Sequence, residues 1–403
     1  MNYMNDFNNI KEICSAGLCS GCGACTVACP QACISLEERD FNRPVVNEES
    51  CTKCKLCLKI CPSYDRDIFL ISKPSIECSD YLGSLNQCVV CHATDREVRL
   101  KAASGGFITT MAAYLIEHKL VDGVVCVKQN SDNPLANEVI IARNIQEMHS
   151  TTASRYSAAS NCQPLKSLLT DTGKYAFIGK PCDIQGLRNL QSLFPQLRKN
   201  IYLTMGLFCH HTPSRTALYE ILRIHKVNEN EVVSIKFRGN GWPGYFEVKC
   251  EDGQIIRTPY FEAWNQYFSK KEYVQLRCFT CTDAFAAGAD FSVGDPWGAE
   301  YRDEELGCSS VIIRSEHAQK HYQELLASGL ISGKTVEVAD IIRHQKNLLL
   351  KCGNARIWKE AVVLSRMGVM GALKRIFQQD AAVRMKLSML KKIIEVKKKV
   401  GKV

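Results

Sequence analysis

CSGCGACTVACP, residues 19–30, and CTKCKLCLKICP, residues 51–62, decide how the first part of this chain folds. Each reads Cys-x2-Cys-x2-Cys-x3-Cys-Pro, and the second copy lies 32 residues after the first. Three closely spaced thiolates wrap one face of an iron–sulfur cubane while the backbone folds over its sulfides. The fourth cysteine sits beyond the turn and reaches the other cluster. The spacing therefore predicts one 4Fe–4S cluster on Cys19, Cys22, Cys25 and Cys61, and a second on Cys51, Cys54, Cys57 and Cys29. Pro30 and Pro62 turn the chain away after each run. Zinc is the plainer reading of a Cys-x2-Cys pair, but zinc sites use two short pairs, not a repeated triple followed by Cys-Pro.

The repeat is the signature of a bacterial two-cluster ferredoxin, so residues 1–75 are expected to form an α+β ferredoxin-like module that handles single electrons. Pro74 and its polar neighbours mark the linker that follows. The full chain of 403 residues leaves room for one or two further domains. Its start, MNYMNDFNNIKEIC, lacks the basic-then-apolar layout of a secretory leader, and no apolar run is long enough to span a bilayer. Twenty-two cysteines in such a chain point to metal sites in a reduced cytoplasm rather than to disulfides.

The net charge is +9, but eight Lys or Arg and one acid, Glu395, fall between Arg384 and Val403. The body is nearly neutral, which argues against nucleic acid as a partner. Leu387, Leu390, Ile394 and Val400 give this basic tail an apolar stripe. It reads as a solvated terminal helix, with weak contact to an anionic membrane surface or an acidic redox partner as the alternative.

Between the module and the tail, residues 76–345 alternate strand-like and helix-like runs. Strands are expected at Cys88–His92, Gly123–Val127, Tyr175–Ile178, Ile201–Phe208 and Val311–Arg314. Short antiparallel strands are expected at Val232–Phe237, Tyr245–Lys249 and Ile255–Arg257, with Asp252-Gly253 as a turn. Helices are expected at Phe107–His118, at Asp183–Gln191, after Thr212-Pro213 as cap and first turn, and up to about Ala327. The pattern implies an α/β domain with a mixed sheet, followed by a helical C-terminal extension over 346–403.

Four phrases in this domain stand out: Lys101-Ala-Ala-Ser104-Gly105-Gly106, Gly179-Lys180-Pro181-Cys182-Asp183, Gly206-Leu-Phe-Cys209, and Arg277-Cys278-Phe-Thr-Cys281 leading to Ala289-Asp290-Phe-Ser-Val-Gly294-Asp295-Pro-Trp297-Gly298. Ser-Gly-Gly before a helix exposes backbone N–H groups to a phosphate, although Gly-Gly alone is more often a tight turn. Cys182, Cys209, Cys278 and Cys281 all fall at strand ends or loops, which gather at one site in α/β folds. Spacing alone leaves open whether they hold a third cluster or are small buried residues.

Taken in order, these phrases resemble the coenzyme F-420 hydrogenase/dehydrogenase beta-subunit family, from about Cys88 to Arg314. The resemblance implies FAD in this domain, a third 4Fe–4S cluster on Cys182, Cys209, Cys278 and Cys281, and a flavin that links one-electron clusters to a two-electron substrate. It makes Ser104, Gly105 and Gly106 candidate FAD contacts, with Ser154, Arg155, Tyr156 and Ser160 from a second family stretch. Arg155 and Lys180 are the charges that could meet a pyrophosphate or reduced flavin. Asp290 and Asp295 cap or orient loops, and Trp297 belongs to the core or stacks near the flavin. His210 and His211 lie beside Cys209 without a pattern that makes them catalytic.

The implied function is an iron–sulfur flavoprotein oxidoreductase. It would pass electrons between a ferredoxin or another low-potential carrier, the clusters and FAD, to or from coenzyme F-420 or an organic substrate. The alternative is a non-catalytic iron–sulfur electron-transfer subunit of a larger redox complex. A redox sensor ranks third, because it leaves the Ser-Gly-Gly and acidic phrases without a role. Catalytic residues and oligomeric state are not legible. Cys88 and Cys91 read as strand residues on opposite faces. Cys14, Cys33, Cys78, Cys126, Cys162, Cys250, Cys308 and Cys352 read as isolated.

Overall fold

The computed structural model describes residues 7–64 and 78–366. The Pro74 linker and the basic stripe from Leu387 to Val400 lie outside the described residues. In the first module, β1 (Ile34–Glu38) and β2 (Asn42–Val46) pair antiparallel, with Ile34 opposite Val46. Two short helices, Ala24–Ala28 and Leu56–Lys59, stand at equivalent points of the two cysteine runs. Each follows a pair of left-handed residues. In the first run these are Gly21 and Gly23 (φ 75° and 82°), and in the second Lys53 and Lys55 (φ 55° and 60°). The backbone thus repeats with the sequence. Lysine tolerates that conformation at a cost of about 1–2 kcal/mol per residue, so the loop geometry is imposed by what the cysteines must reach.

After the module come β3 (Gln87–Ala93), β4 (Gly123–Gln129), β5 (Asn137–Ala142), β6 (Tyr175–Gly179) and β7 (Ile201–Leu207). A three-stranded insertion follows, β8 (Val232–Lys236), β9 (Tyr245–Cys250) and β10 (Ile255–Pro259), and then β11 (Phe291–Gly294), β12 (Ser309–Ile313) and β13 (Ile331–Val336). The main sheet runs β13-β3-β12-β11-β7-β6-β4-β5, and the insertion runs β10-β9-β8. β11, β7, β6 and β4 are parallel neighbours, and the outer pairings are antiparallel. This is the mixed α/β sheet the alternation implied. Every residue of β6 and of β12 is buried, as expected of strands covered on both faces.

Helix Phe107–Glu117 follows the loop carrying Ser104, and helix Pro181–Leu193 carries Cys182 in its first turn. Gly106, at φ 81°, is the N-cap of the first, in a left-handed conformation that favours glycine. The second starts with Pro181 at its first turn, and the Asp183 carboxylate accepts from the Lys180 backbone N–H at 2.9 Å. Phe107 packs edge-on against Phe291 with centroids 5.2 Å apart, joining the first helix to the sheet core.

Thr212-Pro213 does not open the next helix. Pro213 pairs with Val274 in an isolated bridge, and the helix runs Arg215–Ile224. Its leading N–H groups are met from the first module: Arg215 N donates to the Asp40 carbonyl at 3.2 Å and Thr216 N to Asp40 Oδ1 at 2.9 Å. A cap supplied across a domain junction moves the start beyond the local signal.

Candidate functional site: two thiol cages, a third thiol group and a cleft

Cys19, Cys22, Cys25 and Cys61 line one small cage, walled by Ile10, Leu36, Pro44 and Ile60. Cys29, Cys51, Cys54 and Cys57 line a second, together with Cys33. Each cage therefore combines the first three cysteines of one run with the fourth of the other. Among the described residues no three His, Cys, Asp or Glu side chains converge on one metal-ion position. A cubane asks for something else, four thiols spread around a cage. Burial, and after it the proximity of Cys22, Cys19 and Cys61, pushes the Cys25 thiol well above its usual range. Burial likewise raises Cys61 to about 12. Cys19 and Cys22 differ, each held below the usual range by a neighbouring thiol, Cys14 and Cys162 respectively. It is therefore Cys25 and Cys61 whose ionisation needs a cationic centre among the sulfurs, which an iron–sulfur core would supply. Backbone N–H groups already point at the sulfurs, Gly21 to Cys19 and Ser63 to Cys61, both at 3.4 Å.

The first cage faces the large domain. Cys162 N donates to the Cys22 carbonyl at 2.9 Å, and Arg43 donates to the Cys19 carbonyl and to Gln275. Ser160 belongs to this junction. It accepts from Asn42 at 2.9 Å and donates to the Gly21 carbonyl at 2.8 Å, so its hydroxyl is committed to the module.

Beyond the first cage lies a third group of thiols. Cys182 opens the helix after β6, Cys209 follows β7, and Cys278 and Cys281 flank the end of the short helix Leu276–Phe279. All four are half-buried. Arg277 is within electrostatic reach of Cys281, Cys182 and Cys278 on one side and Cys61 on the other, and donates to the Pro62 carbonyl at 3.0 Å. Lys351, from the helix Lys346–Arg366, donates to the Cys209 carbonyl at 3.0 Å and is drawn upward in pKa, against burial, by Cys281, Cys209 and Cys278. Burial raises Cys209 to about 12 and also raises Cys182 and Cys278. Cys281 differs: burial pulls it upward, but Lys351 and Arg277 outweigh that and lower it. Arg277 and Lys351 thus both lie within electrostatic reach of Cys278 and Cys281, although burial keeps three of the four thiols raised.

An open cleft of about 870 Å³ lies at the carboxyl ends of the parallel strands, where α/β sheets place ligands. Ser104, Gly106, Ser154, Arg155, Tyr156 and Lys180 all line it, as does Cys209 from the third thiol group. Buried Arg155 Nε, Ser157 Oγ and Asn161 Oδ1 have no protein partner there, and buried polar atoms of that kind call for a ligand or water. Lys180 pairs with the fully buried Asp183 at 2.7 Å. Burial opposes its charge, but Asp183 and Cys182 raise its pKa. A phosphate-rich cofactor fits these groups: hydroxyls, an unpartnered guanidinium nitrogen and a helix N-terminus along one wall.

At the other wall, Arg238 forms a two-pronged pair with Asp295 at 2.8 and 2.9 Å and lies over the Tyr260 and Trp297 rings. Trp242 Nε1 donates to Asp295 at 2.7 Å. Trp297 is stacked with Trp242 and Tyr260, so it is part of an aromatic shelf. Asp290 instead accepts from Thr204 and Ser315, which makes it a loop anchor. His211 Nε2 lies 2.7 Å from the Phe268 carbonyl, so it carries the proton. His210 Nδ1, 2.8 Å from His211 Nδ1, must then donate to it, and His210 Nε2 remains an acceptor beside the cleft.

Gly105 is not among the cleft residues. A Cβ there would lie 2.6 Å from Ser309 N and 2.7 Å from the Cys91 carbonyl, so the close approach that demands glycine is to the sheet, not to a ligand. Gly105→Ala is expected to lower stability by roughly 1–3 kcal/mol through overpacking, read by denaturant unfolding. A loss confined to cofactor affinity at unchanged stability would overturn this reading.

Comparison with known proteins agrees with this geometry. Residues 18–64 match the 4Fe-4S dicluster domain, residues 88–166 the coenzyme F420 hydrogenase/dehydrogenase beta subunit N-terminal domain, and residues 172–339 its C-terminal domain. The coenzyme F420 hydrogenase beta subunit of Methanosarcina barkeri is 25% identical over 300 residues, covering 73% of this chain and 96% of that protein. The F420-dependent formate dehydrogenase beta subunit of Methanocaldococcus jannaschii is 29% identical over 260 residues, 63% of this chain and 64% of that protein. A coenzyme F420-dependent sulfite reductase of the same organism is 25% identical over 328 residues, 77% of this chain, but the chain spans only 46% of its length. A chain of the F420-reducing [NiFe] hydrogenase complex of M. barkeri shares the fold, with TM-score 0.57 and 24% identity over 72% of this chain and 96% of that one. With a dicluster domain leading both halves of the beta-subunit architecture, the protein is an iron–sulfur electron-transfer member of the coenzyme F420 hydrogenase/dehydrogenase beta-subunit family.

Proposed function

We propose that this protein carries electrons from the dicluster module, through a third 4Fe–4S cluster, to FAD in the cleft, and that it exchanges two electrons there with coenzyme F420 or a related organic substrate. The observation that carries the proposal is the line of thiols. The third group lies between the first cage and the cleft, bridged by Arg277 toward Cys61 and by Cys209 toward the cleft wall. Cys182, Cys209, Cys278 and Cys281 would hold the third cluster. Ser154, Arg155, Ser157 and Lys180 would hold the phosphates of the dinucleotide, with Ser104 beside them, its own hydroxyl proton given to the Cys308 carbonyl at 2.6 Å. FAD supplies the conversion between single electrons and a hydride. The chain's own part is to bind, to orient and to place cations beside the sulfurs.

Anaerobic purification with assay of iron and flavin tests the reading. About twelve irons and one FAD per chain are expected, with turnover of F420 when a low-potential carrier supplies electrons. About eight irons without flavin would overturn it. A second reading is favoured by the relatives' description as beta subunits of hydrogenase and formate dehydrogenase. Here the chain is an electron-transfer subunit whose substrate chemistry occurs in a partner. Flavin bound without F420 turnover by the isolated chain, restored on adding a partner, would favour it.

A further inference from the structure

The second cage holds one thiol more than a cubane uses. Cys33 lines it beside Cys29, Cys51, Cys54 and Cys57, and its sulfur lies 3.3 Å from that of Cys29. Two other spare thiols touch candidate ligands of the first cage without lining it: Cys14 contacts Cys19, and Cys162 contacts Cys22. Cys33, unlike Cys14 and Cys162, lines one of the two cages. The turn from Cys29 to Ala32 brings it there. Ala32 N donates to the Cys29 carbonyl at 3.2 Å, Ala32 adopts φ 49°, and the Cys33 carbonyl is then fixed by Asn47 N at 2.8 Å.

Exposure differs between the cages in the direction that makes a spare ligand useful. Cys19, Cys22, Cys25 and Cys61 are all buried, whereas Cys54 is exposed and Cys29 and Cys51 are half-buried. The second cluster is the one that oxidants and water reach.

We propose that Cys33 is a reserve ligand of the second 4Fe–4S cluster, able to take over the iron that Cys29 holds. The inference rests on the assignment of Cys29, Cys51, Cys54 and Cys57 to that cluster. In the exchange the iron–sulfur bond to Cys29 breaks, one to Cys33 forms, and the thiol proton of Cys33 passes to the sulfur of Cys29. No electron is transferred. With Cys29 ligated as a thiolate, the same S–H would donate to its sulfur across the 3.3 Å contact.

The experiment compares the full chain, purified anaerobically, with Cys57→Ala, Cys29→Ala, Cys33→Ala and the double substitution Cys29→Ala/Cys33→Ala, by iron content and electron paramagnetic resonance of the reduced protein. Cys57→Ala should remove about four irons; unchanged iron there would mean that the cluster assignment itself is wrong. With that satisfied, Cys29→Ala and Cys33→Ala should each keep the parent's iron and its two interacting cluster signals, and the double substitution should lose the second signal. Loss of that signal in Cys29→Ala alone would overturn the proposal. A second measurement needs no ligand removed: in air-equilibrated buffer, Cys33→Ala should release iron about tenfold faster than the parent. Equal release rates would also overturn the proposal.

Discussion

Cys281→Ala is expected to remove about four irons per chain, and with them electron transfer from the dicluster module to the cleft, while cofactor binding in the cleft persists. The expectation follows from where the residue sits. Cys281 belongs to the third thiol group but does not line the cleft, whereas Cys209 belongs to both. It is also the one member of the group whose thiol is lowered, Lys351 and Arg277 outweighing its burial, so it is the best prepared to bind metal. Alanine removes the sulfur and little else from this half-buried position, and a fold defect is not expected. Iron analysis, flavin content and reduction of bound flavin by dithionite-reduced ferredoxin separate the outcomes. Iron unchanged from the parent would sink the third-cluster assignment. Iron lost together with flavin would mean that the two sites are not independent.

The crossed grouping of the eight cysteines into two cages is legible, because the spacing that lets three thiols wrap one cubane face sends the fourth toward the other. The central strands are legible as apolar runs: the strand expected over Tyr175–Ile178 lies inside the wholly buried Tyr175–Gly179. What was not legible depends on residues distant in the chain. Lys351 stands far downstream of Cys281 in a helix whose sequence carries no mark of a metal site. Asp40 caps a helix that starts at Arg215, so the local Thr212-Pro213 signal lost to a tertiary one. β13 escaped because Ser332 to Thr335 are exposed on an edge strand and only Ile331 is buried. In the sequence Ser160 and Gly105 resemble ligand contacts, because hydroxyls and glycines near a phosphate loop look alike. In the folded chain one fastens the dicluster module and the other lets the loop lie against β3 and β12. Cys33 looked isolated because a spare thiol has no spacing rule.

Asp295→Ala is expected to destabilise the protein by about 3–5 kcal/mol, a fall of roughly 10 °C in Tm. The Arg238 side chain is only 2% exposed, and both of its terminal nitrogens are held by Asp295. Its remaining partners are the Pro243 carbonyl and the faces of Tyr260 and Trp297. Removing the carboxylate leaves a guanidinium charge buried without a counter-ion, and leaves Trp242 Nε1 without its acceptor. Both losses exceed the net value of the pair, since a buried charge costs most when its partner is taken away. Asp295→Asn keeps one acceptor and should fall between. The double substitution Arg238→Met/Asp295→Ala should recover much of the stability, because an apolar pair of similar volume needs no counter-ion. It should not recover the cleft: Arg238, Tyr260, Trp297 and Asp295 form its aromatic wall, so ligand affinity should stay reduced when stability returns. Thermal melts of the three variants decide the first point, and flavin retention during gel filtration decides the second. An Asp295→Ala variant within about 1 kcal/mol of the parent would show that water reaches Arg238 and that the wall is not held by this pair.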